Sequence, residues 1–147
     1  GCQLALSCDL VYASSSSRFA TPGVNIGLFC STPMVALSRN SSSKNSMEML
    51  LTGDLISAEE AENKGLINKC LPQGELEGYL LEKANKISSK SSTTLKIGKK
   101  AFYRQIEMPL AEAYEYASQV MVENMMDQDA KEGIEAFLEK RSPNWKE

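Results

Sequence analysis

The chain has no histidine among its 147 residues. Within these residues that absence excludes Ser–His–Asp triads, histidine-ligated zinc and a histidine general base. The four cysteines, Cys2, Cys8, Cys30 and Cys70, form no C-x-x-C pair, so zinc-ribbon and thioredoxin-like motifs are missing too. Spread through an apolar chain, they read as reduced, buried thiols rather than a disulfide scaffold. No apolar run reaches the ~18 residues of a membrane span. An excess of positive charge is also lacking: 16 basic against 19 acidic residues give a net charge of −3, which argues against a dedicated nucleic-acid binder. No signal or transit segment stands at the start. Gly1 instead leads straight into the apolar run CQLALSCDL, where a native terminus is usually polar and loose. The chain therefore reads as a fragment whose N-terminal part is absent, and the missing leader says nothing about location.

What is present is ordinary for a globular chain with one core: 42% hydrophobic and 24% charged residues. Against that background the charge-free run Phe19–Ser38 stands out. Pro22, Gly23, Asn25, Gly27 and Pro33 break it into turns. It reads either as buried core or as the wall of a pocket without acids or bases.

Residues 2–9 read as a short helix with Leu4, Ala5 and Cys8 on one face. LVYAS (10–14) and RFAT (18–21) read as strands around a serine-rich turn. Ser31 or Thr32 is expected to cap a helix that has Pro33 in its first turn and turns Met34, Leu37 and Val35 inward. KNSMEMLLTG is a second helix stopped at Gly53. Ser57-Ala58-Glu59-Glu60 is a capping box, and Gly65 is a left-handed stop. LINKCLP (66–72) reads as a short strand. Helical spacing then recurs in Leu76, Leu80, Ala84 and Ile87, in Leu95, Ala101 or Phe102, and Ile106, and in Leu110, Ala113, Ala117, Met121 and Met125. A last helix carries Ala130, Ile134, Phe137 and Leu138. Strands first and a helical tail after them give an α/β (α+β-like) class.

Three stretches then carry a resemblance: GCQLALSCDLVYAS, RFATPGVNIGL and MEMLLTGDLISAEEAENKGLINKCLP. In this order and spacing they resemble the enoyl-CoA hydratase/isomerase (crotonase) family, and EGIEAFLEKRSPNW (132–145) is similar to its C-terminal signature. The resemblance covers essentially all of 1–147. It implies the C-terminal part of a single crotonase-fold domain, with short strands followed by a helical tail. It also implies an acyl-CoA thioester as ligand or substrate, no metal, and no cofactor beyond that thioester. A homo-oligomer, trimer or hexamer, is expected, without nucleic acid or a membrane span. FATPGVNIGLFCSTPMVALSR resembles a mitochondrial branch of the family, implying a mitochondrial protein of fatty-acid metabolism.

The family polarises a thioester carbonyl with two backbone N–H groups. By resemblance one donor falls at, or one residue before, Gly1; the other lies outside this chain. Hydratase members carry two glutamates that divide acid and base roles. Those positions hold Gln3 and Gly23 here. Glutamine cannot shuttle a proton near neutral pH, and glycine has no side chain. Cys30 and Ser31 are the candidate substitutes, since a thiol at a helix start can be activated; the plainer reading of Cys30 is a packed apolar thiol. Lys140, with Arg141 beside it, matches a family lysine that binds the nucleotide end of coenzyme A. A solvated helix end is the alternative. Lys96, Lys99, Lys100 and Arg104 read as a solvent face. Met121, Met125 and Met126 read as core or as a subunit contact. Three functions are thus open: an acyl-CoA-binding protein without the standard acids, an active hydratase or isomerase using residues outside this chain, and a non-catalytic oligomerisation module.

Overall fold

The computed structural model describes residues 1–146. The chain divides into two compact units, and the division falls between Leu81 and Glu82.

The first unit opens with α1 (Cys2–Leu6), β1 (Tyr12–Ser14), β2 (Arg18–Phe19) and a 3₁₀ turn (Pro22–Ile26). It continues through α2 (Ser31–Asn40), α3 (Ser43–Thr52), β3 (Ile56–Ser57), α4 (Ala58–Asn63) and β4 (Lys69–Leu71). The two strands that flank the serine turn do not pair with each other. β1 runs parallel to β4, with Ala13 opposite Cys70, and β2 runs antiparallel to β3, with Phe19 opposite Ile56. The turn is closed by Ser17 N–H donating to the Ser14 carbonyl at 2.8 Å. Asn68 Oδ1 accepts the Val11 N–H at 2.7 Å and Glu62 Oε2 accepts that of Cys70 at 2.8 Å. Side-chain acceptors thus satisfy a backbone donor just before β1 and one within β4.

The helix ends follow the sequence closely. Ser42 Oγ accepts from Asn45 N at 3.2 Å and Ser57 Oγ from Glu60 N at 3.0 Å, which satisfies an orphan donor at each start. Gly53 (φ 67°) and Gly65 (φ 73°) take the left-handed conformation that stops α3 and α4. Asn40, the head of an Asn-Ser-Ser glycosylation pattern, spends its amide N–H groups on the Leu6 and Ala36 carbonyls, at 2.9 and 2.8 Å. The core is built from Leu6, Phe19, Leu37, Met49, Leu50 and Ile56, with Ala58 and Ala61 letting α4 approach closely. Leu37, Met49 and Leu50 are essentially inaccessible to solvent.

Several expectations are corrected. α1 ends at Leu6 because Ser7 takes the cap position, its Oγ donating to the Gln3 carbonyl at 2.8 Å. Cys30, not Ser31 or Thr32, holds the cap position of α2, and no side chain caps that end. Ser31 is the first helical residue and donates its Oγ–H to the Phe29 carbonyl at 3.3 Å. Val35 points outward, 54% exposed, because the α2 face buried in this unit runs through Leu37. β4 is confined to 69–71; Leu66 and Ile67 are buried in the preceding turn.

The second unit holds α6 (Ser92–Gln105), α7 (Leu110–Met125) and α8 (Gln128–Glu139); α5 (Leu76–Ser88) contains the division. The expected helices are all there, yet their apolar stripes are largely uncovered: Met121, Met125 and Met126 are exposed rather than core. The polar centre of the unit is Ser91, which caps α6 through Thr94 N (3.0 Å) and donates its Oγ–H to Asp129 Oδ2 at 2.5 Å. That bond, and then the Lys146 amide, hold the Asp129 carboxyl below its ordinary range.

The tail after α8 is tied back by side chains. Arg141 grips Glu132 with both guanidinium ends, at 2.6 and 3.0 Å. Asn144 N–H donates to Glu132 at 2.7 Å, and Trp145 Nε1–H donates to the Ser89 carbonyl at 2.9 Å. Gly133 makes room for the indole, since a Cβ there would stand 3.3 Å from the ring. These ties give the EGIEAFLEKRSPNW pattern a structural meaning.

Candidate functional site

The charge-free stretch becomes the end of β2, the 3₁₀ turn, a short connection and the start of α2. Pro22 presets the first turn position. Gly27, at φ 78°, reverses the chain. Leu28 N–H then donates to the Gly23 carbonyl at 2.9 Å and Gly27 N–H to that of Val24 at 3.2 Å. This pair of bonds is the Schellman closure that a left-handed glycine permits. Thr21, fully buried, ties the turn to α3 by donating its Oγ1–H to the Met49 carbonyl at 3.0 Å.

The closure brings Gly23 and Cys30 together. Gly23 N–H donates to Cys30 Sγ at 3.2 Å. A Cβ on Gly23 would lie 2.4 Å from the Leu28 carbonyl oxygen and 2.7 Å from Cys30 Sγ. Cys30 is half-buried, packed beside Cys2 against the core. Burial pushes the Cys2 thiol up, opposed by a hydrogen bond with the Ala20 backbone. Gln3 on α1 and Gly1 at its N-cap are exposed, and the Gly1 carbonyl accepts the Ala5 N–H at 3.0 Å. Ser31 is exposed at the start of α2.

The cleft of about 380 Å³ in this unit is lined by Glu48, Thr52, Asp54 and Glu60, among others, and by no residue of the charge-free stretch. Its acids Glu48 and Glu60 pair with Lys64 at 3.0 and 3.5 Å, and the Glu48 hydrogen bond raises the lysine's proton affinity first.

Lys140 and Arg141 belong to the second unit. They are neighbours in sequence but differ in their commitments. Arg141 is held by Glu132 and by Glu139 (2.5 Å), and those bonds keep its proton affinity above the ordinary arginine range. Lys140 is exposed and takes a left-handed conformation, φ 56°, at the cap of α8. Of the basic residues expected to face solvent, Arg104 stacks on Tyr116 with 4.5 Å to the ring centroid. Sequence reasoning missed two features: the Leu28 carbonyl over Gly23 and the Glu132 grip on Arg141. A backbone atom leaves no mark in side-chain identity. A Glu–Arg spacing of nine is not a helical spacing.

Comparison with known proteins gives consistent results. The family model "Enoyl-CoA hydratase/isomerase" matches residues 1–147. "Enoyl-CoA hydratase domain-containing protein 3, mitochondrial" of Mus musculus is 54% identical over 145 residues, covering 99% of this chain and 48% of its own length. The Homo sapiens protein of the same description is 51% identical, again with 99% and 48% covered. The crystal structure of the human protein superposes with a TM-score of 0.96 at 51% identity, over 98% of this chain and 57% of that one. An enoyl-CoA hydratase from Mycobacterium smegmatis gives 0.96 at 48% identity, over 99% and 56%. The fold is therefore that of the crotonases, and the chain spans about half the length of the curated relatives it matches. On its motifs, its fold and these likenesses, the chain belongs to the enoyl-CoA hydratase/isomerase family.

Proposed function

We propose that the chain is the C-terminal part of an acyl-CoA-binding crotonase domain of fatty-acid metabolism that lacks both standard hydratase glutamates. The observation that carries this reading is the loop around Gly23. The position where hydratase relatives place an acid has no side chain, and a backbone oxygen and a thiol fill the adjoining space. Gln3, at the other acid position, can orient a water but not exchange a proton with it near neutral pH. Gly1, or the residue before it, supplies one thioester-polarising N–H, and the second comes from outside these residues. Lys140 is the coenzyme A contact. Arg141 orders the tail that presents it. The names of the relatives support a mitochondrial location.

The test uses a full-length form and a panel of saturated and 2-enoyl-CoA thioesters. Calorimetry is expected to show binding, and the enoyl substrates are expected to show no hydration. Robust hydration undiminished by Gln3→Ala would overturn the reading and favour catalysis by residues outside this chain.

The uncovered apolar surface of α7 and α8 favours assembly as a second property. Leu110, Met121, Val122, Phe137 and Leu138 are each more than half exposed. An exposed apolar set of this size marks an interface. A homo-oligomer, a trimer or hexamer in full-length form, covers it. An assembly without acyl-CoA affinity would be an oligomerisation module alone.

A further inference from the structure

Gly23 is not a glycine for the usual reason. Its backbone lies outside the left-handed region, unlike that of Gly27, Gly53 and Gly65. What excludes a side chain is space: 2.4 Å to the Leu28 oxygen, 3.3 Å to the Leu28 carbonyl carbon and 2.7 Å to Cys30 Sγ. The nearest obstacle is backbone and cannot swing aside as a side chain would. It is pinned by the Leu28 N–H to Gly23 carbonyl bond and by the left-handed Gly27. Cys30 is pinned in turn by the Gly23 amide.

We infer that the loop from Gly23 to Cys30 is closed against any side chain at position 23, the Leu28 carbonyl and the Cys30 thiol together occupying the space that a side chain would need. The significance of that position rests on the reading of Gly23 as an acid site in hydratase relatives; the closure itself does not. A carboxylate therefore cannot be regained by Gly23→Glu alone. Truncating the thiol does not make room either, since the Leu28 carbonyl remains.

The test is pulse labelling of the whole chain with N-ethylmaleimide, each cysteine quantified by peptide mass spectrometry. In the unsubstituted chain Cys30 is expected to label more slowly than the exposed Cys8. In Gly23→Ala the loop must open, and Cys30 labelling is expected to rise roughly tenfold or more while Cys70 is unchanged. Cys30→Ser, whose oxygen still accepts the Gly23 N–H, is expected to keep the native melting temperature. Gly23→Ala/Cys30→Ala is expected to melt no higher than Gly23→Ala. Equal labelling of Cys30 and Cys8 in the native chain, or unchanged Cys30 labelling in Gly23→Ala, overturns the inference. If Gly23→Ala unfolds the unit, so that Cys70 labelling rises equally, Gly27→Ala decides: its Cβ meets nothing within 4 Å and loosens the closure through φ alone. Faster Cys30 labelling there supports the inference and unchanged labelling refutes it. Failure of acyl-CoA to bind would sink the functional proposal and leave these outcomes standing.

Discussion

Gly53→Ala puts the joint between α3 and the 3₁₀ turn under direct strain. The residue sits at φ 67°, where an L side chain costs ~1–2 kcal/mol. Its Cβ would also meet Val24 Cγ2 at 3.0 Å and both terminal atoms of the Asn25 amide at 3.2 Å. Forcing a methyl into such a contact adds about 1 kcal/mol or more. A total near 2–3 kcal/mol is expected. Gly65→Ala is the control: φ is similar, at 73°, but the nearest atom is the Asn40 carbonyl at 4.0 Å. It should cost only the backbone part, about 1–2 kcal/mol. The difference between the two variants isolates the contact with the turn. The assay must report on the first unit. Trp145, the only tryptophan, lies in the second and is silent here. Amide hydrogen exchange on peptides covering 43–52 and 20–30 reads the opening free energy locally. Faster exchange in both peptides for Gly53→Ala, and only at the end of α4 for Gly65→Ala, is the expected pattern. Equal costs for the two variants would refute the argument that α3 braces the turn.

Two further expectations concern the second unit. Glu132 has its carboxyl lowered from 4.5 to about 2, first by Arg141 and then by the Asn144 amide. A folded-state value below the unfolded one means its contribution is complete above about 4.5 and is lost as pH falls through about 2. Trp145 emission should therefore shift to the red over that acid window, and Glu132→Gln should shift it already at neutral pH. Lys140→Ala should weaken acyl-CoA binding in calorimetry without moving Trp145 emission; Arg141→Ala should move the emission first. An equal effect of both variants on binding, with the emission unmoved, would contradict the different roles assigned to the pair.

Much of this was legible because local signals agreed with the global ones. Ser57 with Glu60 three residues on, and Gly53 and Gly65 at the ends of apolar periodic runs, mark helix ends by side-chain chemistry and φ alone. They fall where expected. The family was legible from ordered motifs. Other features depend on atoms with no residue identity. The closure over Gly23 is a carbonyl oxygen against a backbone carbon. The cap of α2 went to Cys30 because the Schellman closure, not a hydroxyl, sets where the chain enters the helix. Periodicity found the stripe on α7 but could not say whether anything covers it, since an apolar face looks the same in a core and at an interface.

The β1–β4 pair has a consequence for how the chain is made. The hydrogen bond from Val11 to Asn68 joins residues 57 apart, and everything from α2 to α4 lies between them. During synthesis β1 leaves the ribosome long before its partner exists. At 5–20 residues per second the wait is roughly 3–11 s. Over that interval the YAS segment lacks its β4 partner, and a strand with an unmade pairing is one that can find a wrong partner. The core of the first unit can be completed only by the last strand to arrive.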